Sequence, residues 1–437
     1  MTFVSSVLNK KTSIYPHGVT NANWFSLFNA VSFQVTLGAP MILYMKSIGA
    51  TATILGIMAA LTPLLTTCQI PAAHYLERIG YKRFIFYGWG LRTFCIFAIA
   101  FVPLMAFLRN PSKIIFILGA LFVFNLLRGI SSGAWLPWLT ELLPEPVRGR
   151  FLSRDQLFLH VGSLGAVTVC AVLLSEKSHP WQFSAVFFLS AVGGWLSLLF
   201  LKIIPDVEPG ESRTKSNTRV PWREIVGYQP FFKLTLHALL LAISAGPGGV
   251  FCIAFLKSQA HFGESKILYI VTLYFLGAML ALPFVGHFVE RVGSKVAMFI
   301  SVGINCGSFL LWFLIAGNFT SPALVWIVLL YFIGGIGGGN FAVAQTRLMM
   351  NTMPQMGRSH FFAYFYVITS LCAGFAPILW GMMIDALDHL SANVGAAHWN
   401  KFSIYFLIQF VILVGTMFYT TSLHEKARRT SESGSLT

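Results

Sequence analysis

Charge is what this chain has least of. Charged residues make up 10% of its 437 positions and only 15 are acidic, where soluble domains carry about 25% charged residues. With 56% hydrophobic residues, such a chain cannot present a water-compatible surface, which excludes a soluble globular protein. Cysteine is sparse too. Its six copies, Cys68, Cys95, Cys170, Cys252, Cys306 and Cys372, all fall inside apolar runs, so they read as small packing residues and not as a disulfide or metal framework. No phosphate loop is present: the glycines at Gly334–Gly335 and Gly337–Gly339 lie in an apolar run and lack a following Lys-Ser/Thr. Without a nucleophile elbow or a metal-ligand cluster, no cofactor or metal is expected, and neither catalysis nor ATP-driven transport by this chain alone. A cleavable signal peptide is not expected either, because the first 20 residues have no cleavage site after a short apolar core.

What is abundant is apolar run. Twelve stretches are long enough to cross a bilayer, roughly 22–45, 50–74, 83–108, 113–141, 151–175, 181–203, 230–257, 266–288, 296–317, 322–349, 359–386 and 401–422. Only Asp206 to Arg223 forms a long polar interruption, and it reads as a linker. The expected fold class is an all-α membrane protein with twelve transmembrane helices in two six-helix bundles. Its expected parts are a first bundle over 1–205, a linker over 206–228, a second bundle over 229–424 and a disordered tail over 425–437.

Lysine and arginine then orient the helices. One side collects Arg78, Lys82, Arg83, Arg148, Arg150, Arg213, Arg219, Arg291, Lys295, Arg358 and Arg428, among others. The other holds Lys46, Arg109, Lys113, Lys177, Lys257, Lys266 and Lys401. The positive-inside rule places both termini and the linker in the cytoplasm, so the net charge of +15 is topological signal and not a nucleic-acid footprint. A multi-pass protein of a bacterial inner membrane, acting as a monomer, is the expectation.

The chain also repeats itself. Glu77-Arg78-Ile79-Gly80-Tyr81-Lys82 answers Glu290-Arg291-Val292-Gly293-Ser294-Lys295, Tyr44-Met45-Lys46-Ser47 answers Phe255-Leu256-Lys257-Ser258, and Pro144 to Arg148 answers Pro354 to Arg358. Three matches in order, at nearly constant offset, imply two equivalent halves.

These residues carry a resemblance to the major facilitator superfamily over essentially the whole chain. Ala73 to Arg83 resembles its loop 2–3 signature, G-x-L-x-D-R-x-G-R-R/K, with Ala73 and Glu77 in place of Gly and Asp. Glu141-Leu142-Leu143-Pro144, continuing to Arg148-Gly149-Arg150, resembles the loop 4–5 pattern. Arg128-Gly129 with Gly133 resembles the span-four arginine motif of proton-linked drug antiporters, and Gly374, Pro377 and Gly381 resemble a span-eleven pattern. Gly162-Ser163-Leu164-Gly165 lacks the proline those antiporters carry in span five. The resemblance implies alternating access.

The charged turns Glu77, Arg78, Lys82, Arg83, Glu141, Arg148, Arg150, Glu290, Arg291, Lys295 and Arg358 are candidates for gating contacts, with Gly80 and Gly293 allowing the turn. Arg78, Lys82 and Arg83 can meet Glu141 or helix C-termini; the alternative is a purely topogenic role. Arg128, mid-span, is costly unless it faces a cavity or partner. It can bind an anion, assist proton coupling, or be satisfied by carbonyls, Asn125 and Ser131. Arg92 reads as packing or snorkelling. Asp155 in span five and Asp385 in span eleven are the deepest acids, Asp155 and His160 are the coupling candidates, and His237 is also able to titrate. Asn29, Gln34, Asn125, Arg128, Trp135, His237, Asn340, Gln345 and Tyr364 outline a substrate site, with Ser32, Ser244 and Tyr366 nearby in sequence; each has a packing alternative. Gly38-Ala39-Pro40 and Gly246-Pro247-Gly248-Gly249 should weaken spans one and seven.

The expected function is a secondary active or facilitative transporter of a small polar or anionic organic solute, working with protons or a counter-solute. Proton-coupled drug or metabolite efflux is the alternative, and a transporter-like solute sensor the non-transport one. Flux of a bound ligand separates transporter from sensor, and a resistance phenotype separates efflux from uptake.

Overall fold

The computed structural model describes residues 18–143, 145–207, 227–352, 358–394 and 397–425. They contain twelve helices long and apolar enough to span a membrane. Spans one to six are Asn21–Ser47, Ala52–Ala72, Tyr81–Leu104, Asn110–Leu139, Arg150–Leu173 and Pro180–Ile203. Spans seven to twelve are Gln229–Ser258, Glu264–Val292, Ser294–Ala316, Leu324–Thr352, Phe361–Ala386 and Lys401–Thr420. Most of the expected linker, residues 208–226, and most of the expected tail lie outside the described residues. Glu425, expected to begin a disordered tail, instead accepts hydrogen bonds from the backbone N–H groups of Ser294 (2.7 Å) and Lys295 (2.9 Å). It thereby caps the N-terminus of span nine, where a carboxylate satisfies orphan donors and meets the positive end of the helix dipole.

Both weakened spans are broken where their glycines and prolines fall. Span one is helical over Asn21–Thr36 and again over Ala39–Ser47. Span seven is helical over Gln229–Ile243 and Gly248–Ser258. The twin turns also share one backbone device: Gly80 has φ of 84° and Gly293 has φ of 89°, a left-handed conformation that favours glycine. One departure from an all-helical chain is a small antiparallel hairpin, β1 (Ser391–Val394) and β2 (Ala397–Asn400), before span twelve. It is held by His398 N–H donating to the Gly317 carbonyl at 2.9 Å and by Trp399 against Phe313.

The described residues form two compact units. The first gathers spans one to six together with residues 247–276 and 373–388. Within it, glycines let backbones touch: a Cβ on Gly162 would lie 2.3 Å from the Leu27 carbonyl oxygen, and one on Gly129 would lie 2.0 Å from that of Leu65. These positions set span one on span five, and span two on span four, at a separation only small residues permit. An aromatic core of Phe25, Trp89, Trp135, Trp138 and Phe151 fills one end of this unit. The second unit gathers residues 227–246, 277–372 and 389–425, with a core of Phe231, Val289, Met298, Leu348 and Phe361.

Candidate functional site

Spans one, three and four bring two arginines to one aromatic ring. The Arg92 guanidinium lies 4.7 Å from the Trp89 ring centroid, 4.9 Å from Phe33 and 5.5 Å from Phe124. That of Arg128 lies 4.7 Å from the same Phe33 ring. The two cations are therefore within about 10 Å of each other, roughly one Debye length even in 0.1 M salt and far less screened here. Arg92 is 2% exposed. Its Nη2 donates to Asn29 Oδ1, while its Nη1 is buried with no hydrogen-bond partner.

Among the described residues no carboxylate is paired with either arginine. Spans one to four and span six contain no Asp or Glu. Cation–π contacts contribute up to about 2 kcal/mol each when desolvated, whereas taking a charged group out of water costs several kcal/mol. The rings hold the arginines in place but leave their charge uncompensated. Asn125 and Ser131 are engaged elsewhere. Asn125 donates to the Leu121 carbonyl and accepts from Thr62 Oγ1, both at 2.9 Å, and Ser131 donates to the Leu127 carbonyl at 2.8 Å.

Other expected site residues fall at helix contacts. Trp135 packs against Phe25 (4.8 Å) and Trp89 (5.8 Å), behind the arginine cluster. Ser32 joins Thr36 and Ser190 in a buried hydroxyl network between spans one and six. Gln34 is half-buried on span one. In the second unit, His237 is fully buried, with Nε2 2.9 Å from Thr420 Oγ1, which ties span seven to span twelve. Asn340 donates to the Ala297 carbonyl and to Ser301 Oγ, tying span ten to span nine. Ser244 donates to its own helix, Gln345 and Tyr364 are half-buried and Tyr366 is exposed.

Among the coupling candidates, His160 Nδ1 sits 2.8 Å from the Gln156 carbonyl of its own helix. Asp155 is 6% exposed, and its Oδ1 has no partner.

The twin turns make one matching contact. Lys82 Nζ donates to the Ile204 carbonyl at 2.7 Å, and its repeat Lys295 donates to the Thr421 carbonyl. Each lysine thus closes the C-terminus of the last span of its half, where a cation meets the negative end of the dipole. Arg78, Arg83, Glu141, Arg150, Glu290 and Arg291 are exposed, and the side chains of Glu77, Arg148 and Arg358 lie outside the described ones. Among the described residues the one ion pair is Lys257 with Glu264, so none of Arg78, Lys82 and Arg83 is paired to Glu141 in this conformation.

Three placements were not legible in the sequence. Arg92 packs against three rings, as its packing reading expects, but its closeness to Arg128 depends on helix rotation. Arg347 in span ten has a buried Nη1 with no partner; a cation inside an apolar run was the available signal. Asp385 was visible as a deep acid but not its use. Its carboxylate accepts from the N–H groups of Ala52 and Thr53, each at 2.8 Å, so the end of span eleven caps the start of span two. Beside it a Cβ on Gly56 would lie 2.2 Å from the Pro377 carbonyl oxygen, and one on Gly381 would lie 2.5 Å from that of Ala52.

Twelve spans, breaks in spans one and seven, and a charged cluster buried among helices define the class: a multi-pass integral membrane protein built as a solute transporter. The chain belongs to the Major Facilitator Superfamily, whose family model matches residues 24–269 and 248–435. Solved structures share its fold. A D-xylose-proton symporter superposes with a TM-score of 0.71 at 13% identity, covering 93% of this chain and 97% of that one. A POT family transporter in complex with a thioalcohol-conjugated peptide gives 0.70 at 14% identity over 94% and 97%. The nucleoside transporter NupG gives 0.67 at 13% identity over 93% and 99%. Among curated proteins none matches the chain by sequence.

Proposed function

We propose that this transporter carries a small organic anion by alternating access, with Arg128 and Arg92 as the groups that recognise its charge. One observation supports this most: two guanidiniums share the Phe33 ring, and the spans that carry them and the ring have no Asp or Glu. Arg128 is half-buried and therefore able to meet a solute. Arg92 is fixed by Asn29 and three rings, so it supplies a preorganised positive field at little further ordering cost. A carboxylate or phosphate of the solute then provides the compensation the protein withholds, and planar parts of it can lie against Phe33 or Trp135. The basic loops favour both termini in the cytoplasm by the positive-inside rule. Lys82 and Lys295 act as anchors of the turns that move with each half.

The test is a thermal-shift screen of the purified protein against matched pairs of organic anions and their neutral amides or esters. Anions should stabilise the protein and their neutral partners should not. Arg128→Ala should weaken the response roughly tenfold or more in concentration, as for a lost charge-assisted contact. A neutral solute that stabilises wild type and Arg128→Ala equally would remove the anion reading.

A further inference from the structure

We propose that Asn23, Ser26 and Asp155 form a site between spans one and five for one monovalent cation, a proton or a sodium ion. Its use in driving solute movement rests on the transporter reading; its occupancy does not.

The acids inside the spans are Asp155, Glu264, Glu290 and Asp385. Glu264 pairs with Lys257, Asp385 is held by two backbone N–H groups, and Glu290 is exposed. Asp155 alone among them is buried without a cation or backbone donor, and its Oδ1 has no partner.

Spans one and five run in the same direction, and Gly162 fixes their register against Leu27 and Ala30. Asp155 lies two helical turns before Gly162, about 10 Å along the axis, which sets it level with the start of span one. There Ser26, 5% exposed, faces its carboxylate. Asn23 stands one turn earlier on the same helix face. It is 1% exposed, and both its Oδ1 and its Nδ2 are buried without partners.

Leaving such groups unpaired costs about 1–3 kcal/mol each, and a bare carboxylate more. A single cation answers the oxygens together. A proton on Asp155 makes the carboxyl neutral and able to donate to Asn23 Oδ1. A sodium ion instead takes oxygens from Asp155, Asn23 and Ser26, the hard ligands such an ion prefers.

Among the described residues no cation is paired with Asp155; Arg92 and Arg128 meet span one further along, at Asn29 and Phe33. Span one's charge is Lys46, at its far end, and span six's is Lys202, exposed. On span five itself Arg150 is exposed, the Arg154 guanidinium lies 5.5 Å from the Phe158 ring centroid with its Nε buried and without a partner, and His160 is turned to the Gln156 carbonyl. Where span eight meets span five, at the opposite end, Glu264 is already paired.

The experiment uses the full-length protein in detergent with no solute present. Binding of radioactive sodium is measured by equilibrium dialysis, and protonated carboxyls by infrared difference spectra across a pH step. The expected result is saturable sodium binding, or in its absence a protonated-carboxyl band; Asp155→Asn abolishes whichever is seen. Asn23→Ala should weaken the sodium affinity roughly tenfold, or displace the band. Arg128→Ala should change neither, so failure of the anion reading and failure of this one are separable. Should Asp155→Asn not elute as a folded protein, Asn23→Ala and Ser26→Ala carry the test. Neither signal in wild type, or a signal indifferent to these substitutions, overturns the proposal.

Discussion

At the scale of single residues, the informative charges are the few that lie where charge is expensive. Arg92 is the clearest instance, being buried, held by Asn29 and three aromatic rings, and without a carboxylate. If its purpose were structural, removing it would cost the 3–5 kcal/mol typical of breaking a buried ionic arrangement. If it is held for a solute, an apolar side chain of similar volume should be tolerated. The loss of one hydrogen bond to Asn29 is offset by burying no charge. Arg92→Met is therefore expected to unfold within about 1 kcal/mol of wild type, or later, while losing its stabilisation by organic anions. Thermal unfolding with and without anion checks both halves of that statement; a large drop in the anion-free stability would return Arg92 to a packing role.

Among helices, the informative contacts are those a hydropathy profile cannot see. Lipid-facing and buried faces are both apolar here, so no amphipathic period reports how each helix is turned. The breaks in spans one and seven were legible, since glycine and proline act through local backbone chemistry. So were the left-handed turns at Gly80 and Gly293, for the same reason. The Arg92–Asn29 bond, the Lys82 and Lys295 contacts with helix C-termini, and the cap of Asp385 on span two were not, because each depends on rotation and register. The hairpin at Ser391–Asn400 was missed because its pairing is only four residues long and set by packing on Phe313 and Gly317. The Asp385 cap yields a prediction of its own. Two hydrogen bonds to a carboxylate at a helix N-terminus favour the conformation in which spans two and eleven touch. Asp385→Asn keeps the shape but loses the charge, so cysteine labelling at the Lys46 to Ala52 turn should become faster in the variant. Unchanged labelling would mean the cap is static packing.

The whole molecule is a repeated design with unequal halves. Its two copies share the turn, the lysine anchor and the broken first helix, whereas Arg92, Arg128 and Asp155 belong to the first copy alone. That asymmetry was half visible in the sequence. Arg128 stood out because a charge in mid-span has few harmless explanations, but its partner and the absence of any counter-charge required the helices in place. The first half is accordingly where solute charge and coupling ion are expected to be read. The most direct measurement is counterflow in proteoliposomes preloaded with an organic anion that stabilises the purified protein. Saturable exchange of the labelled anion, absent for its neutral ester and abolished by Arg128→Ala, is the predicted result. Binding without flux, or exchange of the neutral ester undiminished in Arg128→Ala, would contradict it.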